Sequence, residues 1–311
     1  MRTGAERQAR RARARLLAGP REGVVSRAEL REIGADRRVV SREVAASRWA
    51  VHGRVTVATH TAALSEAALR WRAVWEAGPD AALDGVSALC AAGLRHFRTD
   101  VLHVSVPEGS RIHRVDGVRV HHPRGRLVGE LLDAGPPRVR APVAAVRAAH
   151  WAVSDRQAAL VLCMTVQQRL ATGEQLVAAA SAVRGRARRS FVAQVVADVA
   201  DGAHSLGELD FAALCRRRGL PEPDRQVVRV GPRGRVYLDV RWRRIGLVVE
   251  IDGAQHRQGL AVSDDHLRRN SLVLTDETVL GIDLVGLRLR EAEFMGQVVA
   301  AHELLTARLG A

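Results

Sequence analysis

The chain has 311 residues, 47% of them hydrophobic, enough for two or three domains that each bury a core. Basic residues outnumber acidic ones 48 to 34 for a net charge of +14, and only 3% are aromatic; this fits a polyanionic partner, and double-stranded DNA better than single strands that need a stacking platform. No run of 18 or more apolar residues occurs and no signal-peptide core opens the chain, so the expectation is a soluble, cytoplasmic protein with no membrane partner. Residues 1–20 form a basic arm or helix, built on Arg-Gln-Ala-Arg-Arg-Ala-Arg-Ala-Arg, that is either solvated or touches phosphate.

From Gly23 the pattern changes. Val-Val-Ser-Arg-Ala-Glu-Leu-Arg-Glu-Ile-Gly predicts a capped helix from near Ser26 to Gly34, and a second helix follows from about Arg37 to Ser47. Trp49-Ala-Val-His-Gly-Arg-Val-Thr-Val then reads as a hairpin, which makes residues 21–62 a winged helix-turn-helix. This segment resembles the N-terminal domain of type IV abortive-infection antitoxins, with Ser47-Arg48-Trp49 at the lead-in to the wing. Such a domain would place its second helix in the major groove, with Arg37, Arg38 and Arg42 as base or phosphate contacts and Arg54 on the wing. The plainer alternative is an arginine-rich solvated helix, because a lysine-free chain rich in Ala, Val, Gly and Leu is what GC-biased coding produces.

Residues 63–184 read as a mixed α/β middle region. Helices are predicted over Leu64 to Ala77 and Ala81 to Leu94, a hairpin from Leu102 to Val106 with Val118 to His122, and further helices from about Ala141 through Ala182. His103, His113, His121 and His122 lack an accompanying carboxylate or cysteine pattern, so a structural role is expected for them rather than a metal cluster. Cys90, Cys163 and Cys215 are odd in number and far apart, and read as reduced, buried thiols.

Residues 185–311 carry the chemistry. Arg-Gly-Arg-Ala-Arg-Arg marks a basic joint, followed by helices over Phe191 to Ala200 and Ser205 to Arg218 and a strand over Gln226 to Val230. Tyr-Leu-Asp-Val-Arg-Trp and Val-Val-Glu-Ile-Asp then set Asp239 and Glu250 inside two adjacent apolar strands. Buried carboxylates are costly unless they are paired or hold a metal, so two on neighbouring strands call for a common cation. Glu250 and Asp252 are two residues apart and leave the same face, while Val249 and Ile251 point into the core. Gly253 would let the chain turn and bring His256 to the same edge, and oxygen ligands beside an imidazole suit Mg²⁺ or Mn²⁺. A helix around Asp264 to Leu274, a strand around Leu284 to Leu289 and a last helix over Glu291 to Leu309 complete the region; Val298, Val299, Leu304 and Leu305 form the apolar face of that helix.

The stretch from about Asp201 to Arg290 resembles the DUF559 family, relatives of the Vsr mismatch endonuclease in the PD-(D/E)xK nuclease superfamily. The resemblance rests on Ser-Leu-Gly-Glu ending at Glu208, the Leu-Asp-Val of Asp239, Glu-Ile-Asp-Gly-Ala-Gln-His from Glu250 to His256, and Asp265-His-Leu-Arg-Arg-Asn. It implies an α+β multidomain chain ending in a restriction-endonuclease-like αβββαβ core. It also implies a metal site of Asp239, Glu250 and Glu208, and metal-dependent cleavage of DNA phosphodiesters. The family's usual lysine two residues after the glutamate is Asp252 here, which leaves His256 to move protons. Asp252 is either a ligand for a second metal or a carboxyl kept partly protonated beside Glu250. Alternatives stay open elsewhere. Ser205 with Glu208 also makes a capping box, Asp265 with Arg268 makes a helical salt bridge or cap, and Asp239 with Glu250 admits a structural ion-pair site with Arg241 or Arg243. A DNA-binding antitoxin or transcriptional regulator with a silent nuclease-like domain, partnered by a toxin, is the alternative to the endonuclease.

Overall fold

Ser26 accepts from the Glu29 amide while the Glu29 carboxylate accepts from the Ser26 amide, a complete capping box that starts a helix where the sequence places one. The computed structural model describes residues 4–97, 99–185, 187–200, 210–230, 236–252 and 278–309. It is an α+β chain in two compact units, Met1–Ala144 and Ala145–Ala311.

In the first unit, α1 (Gly4–Ala18), α2 (Arg27–Glu32) and α3 (Arg37–Ala45) surround a small three-stranded sheet. Its strands are β1 (Val24–Ser26), β2 (Ala50–Val51) and β3 (Thr56–Ala58), all antiparallel in the order β1-β3-β2. The basic N-terminal segment is a helix that belongs to this core. Ala14 and Ala18 are buried against Leu30, Val39, Val40, Trp49 and Val57. Arg11 of α1 and Arg48 bind the Glu43 carboxylate of α3 at 3.0 and 2.6 Å. Burial alone would raise the Glu43 carboxyl, but the hydrogen bonds and charges of Arg48 and Arg11 outweigh it and hold the group below its ordinary value.

Behind the β2–β3 turn lies α4 (Glu66–Ala77), which grips it. The Glu76 carboxylate accepts from the amides of Arg54, Val55 and Thr56 at 2.8, 2.9 and 2.8 Å and from the Thr56 hydroxyl at 2.8 Å. Arg72 donates to the His52 carbonyl at 2.6 Å. Gly53 has φ +154°, and a Cβ there would stand 2.4 Å from the Glu76 carboxylate, so the close approach of the clamp needs glycine. Burial pushes the Glu76 carboxyl up, but the Thr56 hydroxyl and the three amides together push it further down, and the net shift is downward from 4.5.

The rest of this unit corrects two expectations. The segment from Ala81 is a short strand, β4 (Ala82–Leu83), before α5 (Gly85–Ala91), because Asp84 caps the helix through the Gly85 amide and the chain before it pairs with its neighbours. The pair β5 (Leu102–Ser105) and β6 (Val118–His121) is parallel, with Leu102 opposite Val118, and is not a hairpin. Alternation identifies a strand but not its direction, and the intervening residues are numerous enough to cross back. With β7 (Leu131–Leu132) and β8 (Arg138–Val139) these strands form a sheet ordered β6-β5-β4-β8-β7.

The unit boundary falls within α6 (Ala141–Trp151). The second unit continues with α7 (Asp155–Gln167), α8 (Gly173–Ala182), α9 (Arg189–Ala200) and α10 (Phe211–Arg217). A four-stranded sheet follows, ordered β12-β11-β10-β9: β9 (Arg225–Val230), β10 (Val236–Trp242), β11 (Leu247–Asp252) and β12 (Thr278–Asp283). Pairings β9–β10 and β10–β11 are antiparallel and β11–β12 is parallel. One face of the sheet is apolar. Leu238, Val240, Trp242, Leu247, Val249, Ile251, Leu280 and Ile282 pack with Phe211 and Leu214 of α10 and with Phe294, Met295, Val298 and Leu305 of α12 (Glu291–Leu309). Leu304, expected on that apolar face, is 51% exposed.

Residues Leu284–Leu289 are helix α11, not a strand. Asp283 ends β12 and accepts from the Gly286 amide at 2.6 Å, so an N-cap converts an apolar run that reads as β into the first turn of a helix. Arg288 of α11 grips the fully buried Asp198 of α9 with both nitrogens of its fork, Nη2 at 3.0 Å, and joins the helical layer to the end of the sheet.

Two outcomes follow from these buried acids. Asp198→Ala leaves Arg288 without its carboxylate and should destabilise the chain by about 3 kcal/mol in urea unfolding; a change under about 0.5 kcal/mol would show that the pair does not bind the layers. Because the folded Glu76 carboxyl is depressed, its contribution is complete above about 4.5 and fades as pH falls through the folded value. Glu76→Gln should therefore speed amide exchange at residues 54–56, cost about 2 kcal/mol at neutral pH and remove part of the acid sensitivity of the thermal midpoint. Unchanged exchange at those amides would refute the clamp.

Candidate functional site

Strand alternation sends Leu238, Val240 and Trp242 into the core, so Asp239 and Arg241 lie on the opposite face. On β11 the same logic buries Val249 and Ile251 and places Glu250 with Asp239. The register makes them direct cross-strand partners, Asp239 opposite Glu250, which sets their Cβ atoms about 5 Å apart. Asp239 is 2% exposed and Glu250 is half-buried. On the far side of Glu250 the β12 partner is Gly281, which carries no side chain.

Arg241, two residues along β10, donates from Nε to Asp239 Oδ1 at 3.0 Å. That ion pair was one of the sequence alternatives, and the geometry brings it together. Asp252 ends β11, its backbone opposite Tyr237 and Asp283. The Asp252 side chain, Glu208 and His256 lie outside the described residues, as do Asp265 and the helix expected near it. Asp239 and Glu250 present oxygen donors alone, which fits a hard divalent cation as two of its ligands. Among the described residues, no group of three or more His, Cys, Asp or Glu side chains stands together as a metal site.

The arginines singled out in the first unit divide by position. On α3, Val39, Val40 and Glu43 are buried and Arg37, Arg38 and Arg42 are exposed. Arg38 and Arg42 are one turn apart and share a face. Arg37 instead lines a groove of about 550 Å³ together with Arg27, Arg31 and Arg54. Arg54 is exposed at the β2–β3 turn, where the Glu76 clamp holds its amide. Arg27, Arg31 and Glu76 were not singled out from the sequence. The i,i+4 spacing of Arg27 and Arg31 was an available signal; for Glu76, whose partners lie 20 to 22 residues earlier, there was none.

Among the described residues the histidines and cysteines form no metal-ligand group. His103 Nδ1 and His121 Nε2 are 2.9 Å apart, while His113 and His122 are exposed. Burial, then Arg119, pushes His103 down to about 4. Burial, then His103, Arg119 and His122, pushes His121 down to about 3. Both rings are thus neutral near pH 7 and share one hydrogen bond. The three cysteines are free thiols. Burial pushes Cys163 and Cys215 up to about 12, which makes them unreactive at neutral pH.

No protein-family model matches the chain, and no curated protein matches it. Among solved structures the chain is similar to the RV2827C protein from Mycobacterium tuberculosis, at 17% identity over 63% of this chain and 76% of that one, with a TM-score of 0.41. At that score the likeness bears on neither fold detail nor function.

Proposed function

We propose that the chain is a metal-dependent DNA endonuclease that binds double-stranded DNA through a winged helix-turn-helix in its first unit and hydrolyses phosphodiesters at a nuclease-like core in its second. The observation that carries this reading is the placement of Asp239 and Glu250 as direct cross-strand partners on the sheet face opposite the apolar core. A buried carboxylate beside a second one is stable only with compensating positive charge, and the two together define where that charge must sit. Two helices followed by a short hairpin, with Arg38 and Arg42 exposed on the second helix, support the winged-helix assignment.

In this reading Asp239 and Glu250 would be two of the residues that hold a divalent cation. Mg²⁺ or Mn²⁺ would supply Lewis-acid polarisation of the phosphate and a bound water of lowered pKa. Arg241 lends positive charge beside Asp239, and His256 would carry the proton that a lysine moves in the usual family pattern. Glu208 and Asp252 complete the expected set of acids.

The Arg241–Asp239 ion pair favours a second reading. A carboxylate already neutralised by a guanidinium can stand without a metal, as it would in a DNA-binding antitoxin or regulator with a silent nuclease-like domain and a toxin partner.

Incubation of supercoiled plasmid with the full chain and Mg²⁺ or Mn²⁺ separates the two. Nicking that is abolished by EDTA and reduced on the order of 100-fold or more by Asp239→Asn and by Glu250→Gln is the expected result. An intact plasmid, with a gel shift that weakens on Arg38→Ala, would replace the endonuclease with the regulator.

A further inference from the structure

The groove between α2, the start of α3 and the β2–β3 turn is lined by Arg27, Arg31, Arg37 and Arg54. Other guanidiniums of this unit have acid partners: Arg11 and Arg48 pair with Glu43, and Arg21 with Glu29. The groove brings these four guanidiniums together with a single acid, Asp36. Asp36, the acid on the lining, accepts from the Val39 amide at 2.9 Å as the cap of α3. Four guanidiniums against one carboxylate leave the lining with an excess of positive charge, and an anion in the groove relieves their mutual repulsion.

The backbone beneath them is set in advance. The Val55 carbonyl accepts from the Arg27 amide at 2.8 Å, and the Val55 amide donates to Glu76. Val55, between the start of α2 and the β2–β3 turn, is thus held on both sides, and little backbone order remains to be imposed by a ligand.

We infer that this groove seats the sugar-phosphate backbone of duplex DNA, with Arg27, Arg31 and Arg54 as phosphate contacts distinct from the outward Arg38–Arg42 face of α3. The inference rests on the DNA-binding reading above and deepens it. Arg31, Arg37 and Arg54 are exposed. Charges spread along an open groove suit a continuous polyanion better than one small enclosed ligand. Contacts of this kind position the duplex and carry no sequence information, so their signature is salt dependence rather than base preference.

The test is duplex binding by the full chain across a salt series, for wild type, the Arg27→Gln/Arg31→Gln/Arg54→Gln triple variant, its Arg→Lys counterpart and Arg38→Gln/Arg42→Gln, with circular dichroism to verify folding. The triple Gln variant should lose about two to three from the slope of log K against log salt, weaken all sequences alike and be rescued by lysine. The α3 variant should change sequence preference. A wild type that binds with a slope the folded Gln triple leaves unchanged overturns the inference and leaves DNA binding standing; a wild type that binds no duplex overturns both. Inorganic phosphate that binds wild type and not the triple variant, with the DNA slope unaltered, would assign the groove to a small phosphate ligand instead.

Discussion

A carboxylate taken out of water has to be met by a cation or by several hydrogen-bond donors, and this requirement organises both units of the chain. Glu43 joins α1 to α3 through Arg11 and Arg48, and Glu76 joins α4 to the β2–β3 turn through three amides and a hydroxyl. In the second unit Asp198 joins α9 to α11 through Arg288, and Asp239 is met by Arg241 within one strand. Glu43, Glu76 and Asp198 each sit where two elements meet, whereas the Asp239 pair is internal to its strand. Apolar packing around them is non-directional and would tolerate small slippage; a hydrogen-bonded carboxylate does not.

The arginines can be sorted by the same rule. Those that answer a buried acid are structural, whatever their charge adds to the total. Others lie exposed, among them Arg38 and Arg42 on the outward face of α3 and Arg31, Arg37 and Arg54 along the groove. Part of the net charge of +14 is therefore structural, because Arg11, Arg48, Arg241 and Arg288 answer buried acids.

The site in the second unit has a mixed character. Asp239 and Glu250 occupy one face of a sheet whose other face packs against α10 and α12, so the core dictates their orientation. Arg241 shares that face because it too is two residues from its partner along a strand. The same alternation that brings two acids together for a cation brings a guanidinium to one of them, and for this reason the two functional readings diverge at this ion pair.

Much of this was legible in local pattern. The Ser26 capping box, the α3 helix, the β2–β3 hairpin, α12 and the inward Val249 and Ile251 follow from cap residues and from periodicities of 3.6 and 2. These features depend on neighbours a few residues away, and sequence alone determined them, together with the presence of acids at mid-strand positions. Only the tertiary structure decided that β5 and β6 run parallel, that Leu284–Leu289 is a helix and that Asp239 faces Glu250 rather than a residue two positions away. It also placed Arg27 and Arg31 beside Arg54, and Glu76 under the turn. Strand direction, register and the meeting of distant charges are fixed by which surfaces bury one another, and no periodicity within one segment encodes that choice.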